Sequence, residues 1–85
     1  MTEVELGTVT HYFSRIGVAA ITVQRDALSV GDLIHVKGHT SDFTQTIDSM
    51  ELDHQPVDLA QVGQSVGVHV IGHAHEHDKV FKVVA

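Results

Sequence analysis

A two-residue rhythm limits this chain more than any other feature. In "SVGVHVI" (65–71), Val66, Val68 and Val70 fall on one phase and Gly67, His69 and Ile71 on the other. That alternation is the signature of a strand with one buried face and one wet face. "GTVTHYF" (7–13), "GVAAITV" (17–23), "LIHVK" (33–37) and "KVFKVV" (79–84) are further short runs rich in β-branched or aromatic residues. The break at 14–16 predicts a hairpin between the first two, and "SVGD" (29–32) is a turn signal before the third. "FTQTIDSMELDH" (43–54) is long enough for one bent strand: Phe43, Gln45 and Ile47 share a phase, whereas Met50 and Leu52 lie on the other. Burying both sets requires a bulge or a bend. "PVDLAQVGQ" (56–64) reads as a loop with room for one helical turn, ended by Gly63.

No segment carries the 3.6-residue period of an amphipathic helix. The expectation is an all-β, six-stranded, mostly antiparallel closed β-barrel forming a single domain over 1–85. Closure is favoured because an open sheet this small would expose unpaired edges. Its 85 residues include no cysteine, so neither disulfides nor thiolate–metal clusters support the fold. A chain of this length buries only about 60–65% of its unfolded surface. It must rely on apolar packing, on association, or on a metal held by histidine and carboxylate. No signal peptide or long apolar run is present, which favours a cytoplasmic protein.

Net charge is −6, and its distribution is uneven. Residues 38–78 hold seven acids and no Lys or Arg. Non-specific nucleic-acid affinity needs clustered cations, so bulk DNA or RNA binding is not expected.

Three stretches are candidates for function. The hairpin tip at Arg15, Ile16 and Gly17 can present a contact surface, although a tight turn alone also calls for Gly17. "GHTSDFTQ" (38–45) forms a polar loop ahead of an aromatic, and His39, Thr40, Asp42, Phe43 and Gln45 are its candidate partner-binding residues. Phe43 can equally plug one end of the barrel. The third is "GHAHEHD" (72–78), in which His73, His75 and His77 alternate. In a continuing strand these imidazoles would share one face about 6.6–6.8 Å apart, a spacing two of them can use to hold one metal. Such a ladder would point outward with nothing to fix the rings, so any zinc or nickel binding is expected to be adventitious, and no cofactor is required. Everything here depends on whether the loop folds back to bring Glu76 or Asp78 beside His73 and His75.

"YFSRIGVAAITVQRDALSVGDLIHVKG" (12–38), "TIDSMELD" (46–53), "AQVGQSVGVHV" (60–70) and "HDKVFKV" (77–83) together resemble the second, β-barrel domain of elongation factor Tu-type translational GTPases. The family usually has Gly before the acidic residue of the last motif, where His77 stands here. "KGHTSDFTQTIDSMELDH" (37–54) resembles stand-alone translation elongation factor-like proteins and the C-terminal barrel of collagenase-like peptidase proteins. The resemblance implies a six-stranded barrel and contacts to an RNA or protein partner linked to translation or RNA modification. No Gly-rich phosphate-cradling loop followed by Lys occurs, so no GTP site is expected. Ser41, His39 and Asp42 lie close in sequence, but no nucleophile elbow frames them, and no enzyme activity is expected. The leading expectation is a non-enzymatic binding module. Its rivals are a metal-binding or metal-sensing protein built on residues 69–78 and a structural accessory subunit of a larger enzyme.

Overall fold

Each of the six expected runs contains a strand, and the computed structural model, which describes residues 2–84, adds four short ones. In chain order they are β1 (Thr2–Phe13), β2 (Val18–Val23), β3 (Leu28–Ser29), β4 (Leu33–Lys37), β5 (Asp42–Thr46), β6 (Met50–Leu52), β7 (Gln55–Val57), β8 (Leu59–Ala60), β9 (Ser65–His69) and β10 (Lys79–Val84). Eight form a sheet in the order β5-β4-β10-β1-β2-β9-β6-β7, and β3 pairs with β8 in a separate ribbon. Every ladder is antiparallel. Among the described residues no helix is long and apolar enough to cross a membrane.

The alternation sets the core. Val66, Val68 and Val70 are buried on the inner phase, joined by Leu6, Val9, Ala19, Ile21, Val23, Ile34, Val36 and Val80 from the neighbouring strands. Each such aliphatic side chain contributes about 1.5–3 kcal/mol when fully buried, which is how a chain without disulfides stays folded.

Two expectations need correction. The expected all-β, antiparallel architecture is present, but its closure into six strands is met only in part: ten strands form two sheets, and no ladder joins edge strand β5 to edge strand β7 among the described residues. The cause lies at 47–49, where the backbone leaves the ladder so that Ile47 and then Met50 can both turn inward. The seam left between β5 and the chain just after β9 is crossed by the Phe43 ring over Gly72 and by the hydrogen bonds of Gln45. The amide of Gln45 donates to the His69 carbonyl at 2.9 Å and accepts from the Ile71 N–H at 2.6 Å. Nearby, Ile47 exchanges backbone hydrogen bonds with the 31–32 turn (Gly31 N–H to Ile47 C=O, Ile47 N–H to Asp32 C=O).

The second correction concerns the start of 56–64, expected as a loop with room for one helical turn. It forms β7 and β8, with β7 folded back on β6 through Asp53 and His54. Both turn residues have positive φ, 51° and 64°, as a two-residue type I′ hairpin requires. Asp and His adopt that region less readily than Gly, so the dipeptide gave no turn signal.

Candidate functional site

The surface has two distinct candidate regions, and the first is the polar end where 38–42 meets 72–78. The histidine ladder does not form: after β9 the chain leaves the sheet, Ala74 turns into the core, and His77 takes a left-handed φ of 73°. The loop folds back on itself through Asp78, whose buried carboxylate (4% exposed) accepts the His75 N–H at 2.8 Å. Glu76 instead faces His11 at 3.5 Å. Asp78 lies against Gly38 so closely that no Cβ fits there.

Ser41, only 3% exposed, donates its hydroxyl to the His73 carbonyl at 3.2 Å and lies 2.7 Å from His75 Nδ1. The hydrogen bond between Ser41 Oγ and His75 Nδ1 runs in the direction that the tautomer of the ring sets. Thr40 Oγ1 lies 3.5 Å from the same nitrogen. Ser41, His75 and Asp78 are therefore together, but not as a catalytic relay: serine and carboxylate approach the same ring nitrogen, with Asp78 at 3.9 Å, whereas a relay uses both nitrogens. His39 shares a shallow depression of about 370 Å³ with Thr40, His75, Glu76 and His77.

The same loop sets the geometry of His73, His75 and His77, where any metal binding was expected to be adventitious. His73 packs against His75 with centroids 4.5 Å apart and planes inclined by 32°, and it also meets Tyr12 at 4.6 Å. Imidazole lone pairs lie in the ring plane, so rings packed this way aim them side by side instead of at one point. Among the described residues no three His, Asp or Glu groups are placed to hold a metal ion.

The other candidates in the 38–45 loop are held by the fold. Phe43 packs on the core and over Gly72, where a Cβ would stand 2.5 Å from the ring. Gln45 spans the seam and is 7% exposed. Asp42 is engaged by His35, which sits between two carboxylates: Nδ1 is 2.8 Å from Glu3 and Nε2 is 2.5 Å from Asp42. The hydrogen bond to Asp42 foremost, then Glu3, raises the His35 pKa above its ordinary value despite partial burial. The same bond lowers the pKa of Asp42.

The second region is a groove of about 480 Å³ on the outer face of β2, β9 and β6. Ala20, Gly67 and Glu51 pair across three strands, beside the pair Val18 and His69. Gly67 keeps the floor low. Phe13 (46% exposed) and Ile16 (66% exposed), at the mouth of the 14–17 hairpin, form an apolar wall. Gly17 makes that hairpin possible with φ of 66° and an N–H bonded to the Phe13 carbonyl at 2.9 Å. Arg15 is exposed at the tip and makes no ion pair among the described residues. Asp53 and His54, in the β6–β7 turn, form the opposite wall. Of these residues the sequence marked only the hairpin tip, because the groove arises from strand register and not from any contiguous motif.

No family model matches the chain. It is 31% identical over 80 residues, 93% of its length, to an uncharacterized protease of Methanocaldococcus jannaschii, covering 19% of that protein. It is 28% identical over 81 residues to a collagenase of Porphyromonas gingivalis, covering 20% of it. The chain thus spans about a fifth of the length of the curated relatives it matches. Two crystal structures of the C-terminal domain of a Geobacillus thermoleovorans protein assigned to the U32 peptidases share the fold. Their TM-scores are 0.86 at 22% identity, covering 93% of this chain and 91% of that one, and 0.83 at 23% identity, covering 89% and 95%. The expected likeness to collagenase-type proteins is borne out. The likeness to stand-alone elongation factor-like proteins is not carried by these matches.

Proposed function

We propose that this chain is a non-catalytic accessory module that docks, through the groove between the 14–17 hairpin and the β6–β7 turn, onto a larger protein of the U32 peptidase type. The observation that carries the reading is the size relation: nearly the whole chain corresponds to about a fifth of each protease or collagenase relative. The solved domains of the same fold are C-terminal parts of a U32-type protein. The groove supports it further, since Ile16 and Phe13 are exposed apolar residues with no role in the core, and aromatic and aliphatic anchors of this kind dominate binding energy at interfaces.

A protein partner fits better than the RNA component that the resemblance to elongation factor Tu implied. Arg25, Lys79 and Lys82 are already paired with carboxylates. Too few free cations remain for a phosphate backbone.

The test is affinity capture from cells that express the chain, with bound protein identified by mass spectrometry and bound RNA by sequencing. A U32-type polypeptide should be recovered with the wild-type chain and lost with Ile16→Asp. Recovery of RNA without such a polypeptide would overturn the reading.

A further inference from the structure

The groove is apolar on one wall, carries Asp53 and His54 on the other and has Glu51 at its floor, and that asymmetry constrains what can fill it. Its floor follows Ser65, Gly67 and His69 along β9, a run of roughly 13 Å at the rise of an extended chain. That length matches four or five residues of extended peptide. Glu51 projects from the floor beside Gly67, and Asp53 stands in the turn. Neither carboxylate has an ion-pair partner among the described residues. Asp48, next to the groove, faces His69 at 3.2 Å. No Lys or Arg lines the groove, and Arg15 lies outside it at the hairpin tip. Residues 38–78, which supply Glu51, Asp53 and His54, contain no Lys or Arg at all.

Resting on the docking reading above, we infer that the occupant is a single extended, cationic segment of the partner protein, with aliphatic side chains against Phe13 and Ile16 and Lys or Arg side chains on Glu51 and Asp53. Two partnerless carboxylates facing an apolar wall across a glycine floor would repel an acidic segment, and a neutral one would bring no counter-charge to them. Specificity built this way rejects the wrong charge as much as it attracts the right one.

The probe is a synthetic octapeptide alternating Lys with Val and Leu, titrated into isotopically labelled chain and followed by amide chemical shifts and by fluorescence anisotropy. Shifts should cluster at Ser65, Gly67 and Glu51, and affinity should fall as salt rises. Replacing the peptide's lysines with glutamate should abolish binding. The E51Q/D53N chain should bind at least tenfold more weakly. The D58N/E76Q chain, which loses the same net charge elsewhere, should bind like wild type. Equal weakening by both pairs, shifts outside the groove, or no binding would overturn the proposal. Melting curves confirm that the exposed substitutions leave the fold intact. If the peptide fails while Ile16→Asp still abolishes capture of the U32-type partner, the docking reading stands and only the occupant is wrong. If both fail, the groove is no docking site.

Discussion

The polar end at 38–42 and 72–78 and the groove beneath the 14–17 hairpin use their side chains in opposite ways. At the polar end nearly every functional-looking group is consumed by the fold. Asp78 takes a backbone N–H, Ser41 caps a backbone carbonyl and fixes His75, and Phe43 covers Gly72. In the groove, Ile16, Glu51 and Asp53 make no side-chain hydrogen bond or ion pair among the described residues, and Phe13 meets only the edge of His11. The contrast has a physical origin. A segment that leaves the sheet has backbone groups that no ladder pairs, and polar side chains must supply the partners. A strand face needs no such help, so its outer residues are free for other uses. Chemically conspicuous residues in the irregular loop of a small domain are therefore the first to be enlisted for structure.

The largest effect that tests this contrast is expected at Gly38. A side chain there collides with the buried Asp78 carboxylate, and that carboxylate cannot swing away without releasing the His75 N–H. Gly38→Val should lower stability by about 1–3 kcal/mol from overpacking alone, a fall in Tm of about 4–8 °C per kcal/mol for a domain this size. An unchanged melting curve would show that the polar end is pliable and its groups free.

Next is the seam. Gln45→Leu keeps the volume but leaves the His69 carbonyl and the Ile71 N–H without partners. The expected cost is about 1–3 kcal/mol, read by chemical denaturation. Amide exchange at Ile71 should accelerate with it. A loss below about 0.5 kcal/mol would mean that water replaces the amide and that the seam is looser than the hydrogen bonds imply.

His77 illustrates what the sequence could and could not reveal. The strands were legible because burial imposes a period of two, and the bend at 47–49 was legible as the phase change between Ile47 and Met50. His77 was visible as standing where the resembled family has Gly, yet only its φ of 73° gives the reason: the position demands a left-handed residue. The seam was illegible because Gln45 meets residues 24 and 26 positions away. The β6–β7 hairpin was illegible because Asp53–His54 lacks the glycine that usually announces its turn. Of the groove only the hairpin tip was legible, since its floor needs the register of the ladders that join β2, β9 and β6. His77→Gly should raise stability by up to about 1 kcal/mol through relief of left-handed strain. A loss instead would mean that the imidazole makes a contact worth more than the strain.

A smaller, pH-dependent effect comes from His35. Its raised pKa means the protonated ring is favoured in the folded state, so its contribution is complete below the ordinary value of about 6.5 and fades as pH rises through the raised one. Asp42, with a lowered pKa, contributes above its ordinary value and loses that contribution as pH falls through the lowered one. The clamp is therefore strongest between the two ranges and weakens as pH rises through the raised value of His35. Both carboxylates are solvent-exposed, so the effect is modest. Tm measured at pH 5.5 and 8.5 should fall more in the wild type than in His35→Gln. Parallel curves would remove His35 as the cause.

The smallest stability effect is expected where the largest binding effect is proposed. Ile16 is exposed at a hairpin tip and supports no core residue, so Ile16→Asp should change stability by no more than about 0.5 kcal/mol. The hairpin itself is fixed by Gly17 and the hydrogen bonds to the Phe13 carbonyl, neither of which the substitution touches. An unchanged Tm makes any loss of partner capture attributable to the surface alone. A fall of several degrees would instead show Ile16 holding the β1–β2 hairpin in place. In that case the groove residues would serve the fold just as those of the polar end do, and the contrast between the two regions would collapse.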